Sequence, residues 1–191
     1  MNDKNETSKK IMDMALELFS KQGYSGTTTK EIARDAGVNE LTLFRHFGSK
    51  LNLFQEIMEY YAMDPEVDDV FQALEDMCFA DQMMLISTRI YQLYLKNMKL
   101  YKVQMKLTDN AKDVVKLKLS RKLIVVLEVH FTALKNAQQI QGDPHLMAVT
   151  LINSLLGILT VSILGQNTIT EKNWELLVKE HAKQFVALYE W

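Results

Sequence analysis

The chain has few of the residues that cross-link a fold or interrupt helices. Its 191 residues include one cysteine, two prolines and seven glycines. The single cysteine, Cys78, excludes an internal disulfide and a zinc site made of several cysteines. A role as a small buried hydrophobic residue is favoured for it over a redox role. Four of the glycines lie at or before Gly48 and the next is Gly142, so the strong helix-ending signals concentrate near the N-terminus.

A strongly basic character, common in proteins that bind nucleic acid, is also lacking. The net charge is −2, and residues 1–60 contain 8 Lys and Arg against 9 Asp and Glu, a balance of −1. Only a local set of cations, Lys30, Arg34, Arg45 and Lys50, marks a possible phosphate-facing side. Any DNA binding must therefore be argued from a motif, with modest affinity for non-specific DNA.

Signals for export and for catalysis are missing as well. Residues 1–10 are polar and do not resemble a signal peptide, which predicts a cytoplasmic protein. The four histidines, His46, His130, His145 and His181, are scattered along the chain. With no nucleophile elbow, phosphate loop or metal-ligand spacing, we predict no catalytic residue, no metal and no cofactor.

Residues 27–54 contain the most informative pattern in the sequence. Threonines precede a short helix in which Ile32, Ala33 and Ala36 fall on one inward face, with Thr29 as the predicted N-cap. Gly37 follows at a position where a left-handed residue commonly ends a helix, and Asn39 can cap the next helix. This order predicts a helix-turn-helix over residues 28–47, whose second helix enters the DNA major groove.

The second helix, about residues 40–47, divides into an inward face and a DNA face at about 100° per residue. Leu43 and Phe47 share the inward side. The residues predicted to face the bases are Leu41, Thr42 and Arg45, and those on the shoulders, toward the phosphates, are Phe44 and His46. The full predicted DNA-contact set also includes Thr28, Thr29, Lys30, Asn39, Glu40, Ser49 and Lys50.

Residues 7–54 resemble the DNA-binding domain of the TetR (tetracycline-repressor) family of bacterial regulators. The resemblance rests on an amphipathic first helix, Gly23-Tyr24, the threonines before Ile32-Ala33, Ala36-Gly37-Val38, the run from Phe44 to Phe47, and Ser49-Lys50. It covers about a quarter of the chain. It implies an all-α fold, in which a three-helix helix-turn-helix domain precedes a larger helical domain for ligand binding and dimerisation.

Phe44 departs from the family pattern, and Glu40 has two possible roles. The family usually has Tyr at position 44, so Phe44 loses a hydroxyl that can donate to a phosphate, a bond of about 1 kcal/mol net. Glu40 can accept a hydrogen bond from cytosine N4, or it can simply be a favourable acid in the first turn of a helix. For Ser49 we expect a helix cap, and for Lys50 a phosphate contact.

The rest of the chain is predicted to be helical, with a domain boundary between residues 1–54 and 55–191. Segments 66–80, 82–105 and 109–138 have few helix breakers. Residues 146–170 lack charged side chains and reach membrane-span length, but their polar residues favour a helix buried on more than one side over a membrane span. The last helix is expected at about 170–189.

The resemblance also implies a homodimer and a small-molecule site. We expect the last two helices to form the dimer interface, with Leu155, Gly157, Leu159, Trp174, Leu177, His181 and Phe185 as its residues. An apolar or amphipathic effector would lie among the middle helices, against Met58, Tyr61, Met84, Tyr91, Tyr94, Met98 and His130. Methionine and aromatic residues are equally common as ordinary core residues.

Two functions follow from these observations. The first is a homodimeric repressor that binds a palindromic operator in double-stranded DNA and is released by a small ligand, with no membrane association. The second is a helical DNA-binding protein that is controlled by a protein partner or has no small-molecule effector. A cavity of roughly 300 Å³ or more in the middle domain would separate the first from the second.

Overall fold

The computed structural model describes residues 2–62, 71, 74, 76–107, 118–164 and 173–191. Their regular secondary structure is helical, as the sequence predicted, apart from an isolated antiparallel bridge between Ile140 and Glu190. The chain divides into two compact units. The N-terminal unit comprises residues 1–63 and 97–118, and the C-terminal unit comprises residues 64–96 and 119–191.

The N-terminal unit begins with four helices. They are α1 (Asn2–Gly26, with a non-helical Gly23), α2 (Thr29–Asp35), α3 (Glu40–Phe47) and α4 (Lys50–Ala62). Three rings form the centre of their shared core: Phe54 contacts Phe19 edge-on at 5.5 Å between ring centroids, and Tyr24 at 5.0 Å. Because α1 and α4 supply these rings, they contribute the centre of the core against which α2 and α3 pack.

A later segment joins this unit and changes the predicted boundary at residue 54. Helix α6 (Met98–Met105) packs on α1, and Leu100, Val103 and Leu107 are buried in the same core. Lys106 donates from Nζ to the backbone carbonyls of Ser20 and Lys21, both at 2.8 Å. Since these contacts lie more than 80 residues apart in sequence, no local pattern could have predicted them.

The C-terminal unit contains α5 (Phe79–Lys96), α7 (Lys118–Asn136), α8 (Pro144–Leu164) and α9 (Trp174–Tyr189). Helix α5 packs against α8 and α9, and these two also pack against each other. The prediction of a single helix over residues 82–105 is wrong, because the helix is interrupted at Asn97, between α5 and α6. Most of the predicted helix at 66–80 lies outside the described residues.

Helix α8 is buried on one side only within its own unit. Six apolar side chains form the buried side: Met147, Ala148, Leu151, Ile152, Leu155 and Leu159. The opposite side exposes Leu146 (62% exposed), Thr150, Asn153 and Gly157. A Cβ at Gly157 would meet no atom within 4 Å. By length and composition alone, α8 is the one described helix that could cross a membrane, which is weak evidence because core helices pass the same test.

Candidate nucleic-acid interface

Helix α2 is started by Thr28 rather than by Thr29. The Thr28 hydroxyl accepts a hydrogen bond from the Glu31 amide at 3.2 Å, and the Glu31 carboxylate accepts from the Thr28 amide at 2.9 Å. This reciprocal capping box satisfies two amides at the helix start. The Thr28 amide, and the Thr28 hydroxyl at 2.8 Å, both donate to the Glu31 carboxylate and hold its pKa below the usual value. The predicted N-cap was therefore wrong by one residue, and Thr29 is the first residue of the helix.

The turn between α2 and α3 has the predicted geometry. Gly37 follows the C-cap residue Ala36 with φ of 68°, a left-handed conformation that favours glycine. Asn39 caps α3, because its side-chain oxygen accepts from the Leu41 amide at 2.9 Å. Val38 packs partly buried against the core. These local contacts fix the direction in which α3 leaves the turn.

Helix α3 presents the two faces that its sequence predicted. Leu43 is fully buried and Phe47 is 4% exposed, so both anchor the helix to the core. On the outer side Leu41 is 65% exposed, and Arg45 is exposed as well. Phe44, on one shoulder, is 42% exposed. An exposed arginine and apolar side chains on one helix face can contact guanine and the thymine methyl in a major groove.

Glu40 has a partner inside the protein. Its Oε1 accepts a hydrogen bond from the Thr29 hydroxyl at 2.7 Å, which joins the first turns of α2 and α3. The carboxylate is therefore held at the start of the outward-facing helix. This contact agrees with the interpretation of Glu40 as a first-turn acid and leaves its second oxygen for a donor such as cytosine N4. Thr29 acts on the interface by positioning Glu40.

His46 is held from a distance in sequence. Its Nδ1 lies 2.7 Å from the hydroxyl of Ser8, in the first helix, 38 residues earlier. A DNA contact by His46 would therefore use Nε2. Ser8 was missing from the predicted site, because nothing near position 8 indicates a contact with α3.

Lys50 points into the protein, which corrects its predicted contact with phosphate. Its Nζ donates to the backbone carbonyls of Tyr24 at 2.9 Å and Thr27 at 2.8 Å. The same ammonium lies 4.3 Å from the centroid of the Tyr24 ring, within the range of a cation–π contact. Burial lowers the pKa of Lys50. Lys50 thus ties α4 to the end of α1.

The cations that remain for DNA are few. Arg34 is paired with Asp35, with 2.6 Å between Nε and Oδ1. Lys30 and Arg45 are exposed and have no side-chain partner in the part of the chain that the structure describes. Ser49 serves as a helix cap, as predicted, since it accepts from the Asn52 amide at 3.0 Å. The charged contacts of this surface therefore depend mainly on Lys30 and Arg45.

The residues predicted to bind a ligand fall in two different units. Met58 is buried in the core of the N-terminal unit, and Met98 belongs to that unit as well. The side chain of Tyr61 lies outside the described part of the structure. Tyr91 and Tyr94 are buried in the C-terminal unit and Met84 is half-buried there.

The predicted dimer residues are mostly turned toward their own chain. Leu155 and Leu159 are fully buried and Phe185 is 2% exposed, so these three belong to the core and their assignment to a surface was wrong. Trp174 stacks on Tyr91 at 4.6 Å between ring centroids. Leu177 and His181 are half-buried, and Gly157 alone of the predicted set is exposed. Because residues 146–164 of α8 include no charged side chain, the sequence did not indicate which side of the helix faces outward.

A short helix, a glycine turn and a second helix with an exposed outer face define the class of this unit as a helix-turn-helix DNA-binding domain. Comparison with known proteins agrees with this class. Residues 11–57 match the family described as "Bacterial regulatory proteins, tetR family". Residues 11–57 are therefore a DNA-binding domain of the tetR family.

Curated relatives share this same part of the chain. The transcriptional regulator AcrR of Shigella flexneri is 50% identical over 54 residues, which cover 28% of this chain and 25% of AcrR. The transcriptional regulator YvkB of Bacillus subtilis is 45% identical over 56 residues, covering 29% and 30% of the two chains. The chain thus matches less than a third of the length of these relatives.

Solved structures match over nearly the whole chain and show the fold. NalD of Pseudomonas aeruginosa aligns with a TM-score of 0.77 at 18% identity, covering 100% of this chain and 98% of NalD. The regulator FadR of Bacillus subtilis, solved with stearoyl-CoA, also has a TM-score of 0.77, at 16% identity, covering 94% of this chain and 97% of FadR. The C-terminal helices therefore share the fold of these regulators although their sequences have diverged.

Proposed function

We propose that this chain is a transcriptional repressor that binds a palindromic operator as a homodimer and releases it when a small molecule binds the C-terminal unit. The observation that carries the proposal is the outer face of α3, with the exposed Leu41 and Arg45 and the half-buried Thr42, on a domain of the tetR family. NalD is described as the secondary repressor of a multidrug efflux pump, and IcaR of Staphylococcus aureus as a negative regulator. These descriptions support repression over activation, and a cytoplasmic location.

The exposed side of α8 supports the homodimer. It has no charged residue and combines Leu146 with the small or neutral Thr150, Asn153 and Gly157. An uncharged helix face with a glycine at its centre allows a second helix to approach closely. A two-fold dimer would present two copies of α3 to successive major grooves, about one helical turn or more apart.

Release by a ligand requires that the two units be coupled. The chain passes from one unit to the other at residues 63–64, 96–97 and 118–119. At the second passage Asn97 joins the end of α5 to the start of α6, and α6 is held against α1 by hydrogen bonds from Lys106 and by an ion pair between Lys99 and Glu17. In our proposal, movement of α5 on ligand binding is passed to α1 through α6, and a tilt of α4 accompanies it. Ligand and operator would then weaken each other's binding equally.

The experiment that tests this function is selection of bound sequences from random double-stranded DNA, followed by footprinting of the selected site. We expect two inverted half-sites and protection over both. A matched variant, Gly157→Glu, places a charge on the exposed side of α8; it should give a monomer in light scattering and weak binding to the same site. Selection of a single half-site by a monomeric wild-type protein would contradict the dimer, and failure to enrich any sequence would contradict the function.

A further inference from the structure

Two buried polar atoms in the C-terminal unit have no hydrogen-bond partner among the described residues. They are Oγ of Ser87, on α5, and Nδ1 of His181, on α9. Ser87 is fully buried. A buried hydroxyl or imidazole nitrogen without a partner is costly, and such groups are rare in native proteins. A bound ligand could supply the hydrogen-bond partner that such a buried group lacks.

Ring and hydrogen-bond contacts place the two atoms in one layer of the unit. Tyr91 of α5 stacks on Trp174 of α9 at 4.6 Å. At the other end, Gln82 Oε1 of α5 lies 2.8 Å from Nε2 of His130, and the neighbouring Phe131 stacks on Phe185 of α9 at 6.0 Å. These contacts place residue 91 beside residue 174 and link residue 82 to residue 185 through α7, which indicates that α5 and α9 run antiparallel.

Ser87 and His181 both fall between these two ends. Ser87 lies one turn before Tyr91 on α5, and His181 lies about one turn before Phe185 on α9. The region between the tyrosine–tryptophan stack and the phenylalanine pair thus has two polar atoms without a hydrogen-bond partner among the described residues. The other buried hydroxyls nearby are engaged, because Tyr94 lies 3.0 Å from Ser120 Oγ and Tyr91 lies 3.3 Å from Ser162 Oγ.

The layer is also uncharged. The polar residues classed as buried in the described C-terminal unit are Gln82, Ser87 and Ser120, none of which carries a charge. Burial lowers the pKa of His181, so its imidazole is neutral at neutral pH. A neutral imidazole and a hydroxyl can each hydrogen-bond an uncharged polar group, whereas an ionic group would find no counter-charge among these buried residues.

We propose that Ser87 and His181 form the polar recognition point for an uncharged effector, a small ring compound with a hydroxyl, carbonyl or amide group. The inference rests on the proposed function, since it names the chemical class that the effector site accepts. FadR, a structural neighbour, was solved with stearoyl-CoA, an anionic ligand. The site proposed here would instead exclude a charge next to Ser87.

The test uses the full-length protein and four probes of similar size: phenol, benzamide, benzoate and toluene. Binding is measured by ligand-observed NMR, with the imidazole nitrogen signals of His181 followed in the same samples. Phenol and benzamide should bind and shift His181, benzoate should bind at least about tenfold more weakly, and toluene should leave the His181 signals in place. Equal binding of toluene and phenol would show a merely apolar site and overturn the proposal.

Ser87→Ala is the informative variant, and Ser120→Ala is its matched control. Because the Ser87 hydroxyl has no partner, Ser87→Ala should raise the melting temperature while it weakens phenol and benzamide binding by about tenfold. Ser120→Ala breaks the contact with Tyr94, so it should lower the melting temperature and leave probe binding unchanged. The proposal is wrong if no probe binds the wild-type protein, or if Ser87→Ala changes stability but not probe binding. The missing hydrogen bonds of Ser87 and His181 would then be explained by an internal water or a packing defect.

Operator binding, measured in the same preparations, separates this inference from the proposed function. A wild-type protein that selects and binds its operator but fails the probe test would overturn only the effector class. A protein that selects no operator would contradict the proposed function, whatever the probes do.

Discussion

The two units of this chain satisfy their polar groups in different ways. In the N-terminal unit the side chains around α3 bond to one another or to backbone carbonyls, as Thr29 does with Glu40 and Lys50 with Tyr24. In the C-terminal unit hydroxyls and imidazoles lie inside an apolar core. Two buried polar side-chain atoms lack a hydrogen-bond partner among the described residues, Ser87 Oγ and His181 Nδ1, and both are in this unit. The polar groups around α3 are thus largely satisfied within the protein, whereas the C-terminal unit has unmet hydrogen-bonding capacity, as the proposed effector site requires.

The largest expected effect tests how much the DNA-binding surface depends on its core. Phe54 is fully buried against Phe19 and Tyr24, so Phe54→Ala should cost about 3–5 kcal/mol of unfolding free energy in the N-terminal unit. Chemical denaturation with hydrogen exchange resolved by unit would measure it. Phe44→Ala, on the exposed shoulder, is the control and should change stability by less than about 0.5 kcal/mol. A loss below about 1 kcal/mol for Phe54→Ala would contradict the core.

Arg45 tests whether the exposed face distinguishes bases. We expect Arg45→Ala to cost about 1–3 kcal/mol of operator affinity and to relax the preference at one base position, because a bidentate contact with guanine is lost. Titration on the selected operator and on its single-base variants would show both effects. Losses of the same size on the operator and on random DNA would assign Arg45 to a phosphate instead.

Lys50 tests whether its ammonium serves the fold or the DNA. Lys50→Met keeps the apolar stem but removes two hydrogen bonds to backbone carbonyls, so about 1–2 kcal/mol of stability should be lost. The salt dependence of DNA binding should stay unchanged. Lys30→Ala is the matched control, and it should lower the salt slope by about 1 without loss of stability. The reverse pattern in the two variants would restore the phosphate contact first predicted for Lys50.

The smallest expected effect is a pH dependence located in the C-terminal unit. Burial lowers the pKa of His130, so the unfolded chain binds the proton more readily and stability falls as pH drops below about 6.5. The carboxylate of Glu128 raises the pKa of His145, which adds stability below about pH 6.5 that is lost as pH rises through the folded pKa. Denaturation between about pH 5 and 7.5 should therefore show a weaker acid loss in His130→Gln and a stronger one in His145→Gln. Identical pH curves for both variants and wild type would exclude these two histidines as the cause.

Much of the candidate site could be predicted because its determinants are local. Gly37, Asn39, Leu43 and Phe47 act through neighbours within a few residues, and the structure has each in its predicted role. The N-cap of α2 was misplaced by one residue because two threonines adjoin and either could cap. The contact between Ser8 and His46 spans 38 residues and left no local pattern.

The C-terminal unit was less predictable for a physical reason. A run of apolar residues around α8 shows that the helix is buried, but not which side is turned to its own chain. Leu155 and Leu159 face inward while Gly157 faces outward, and only the positions of α5 and α9 decide this. The same holds for the domain boundary, because α6 joins the N-terminal unit through contacts with α1.

The sequence by itself determined the helical fold, the helix-turn-helix and the outward face of α3, since capping, glycine conformation and helical periodicity act over a few residues. Tertiary structure decided that Lys50 connects α4 to α1, that α6 belongs with the DNA-binding unit, and that α5 and α9 meet at Tyr91 and Trp174. Those outcomes depend on which helices meet. Contacts between helices are determined by the packing of whole helix surfaces rather than by any stretch of neighbouring residues.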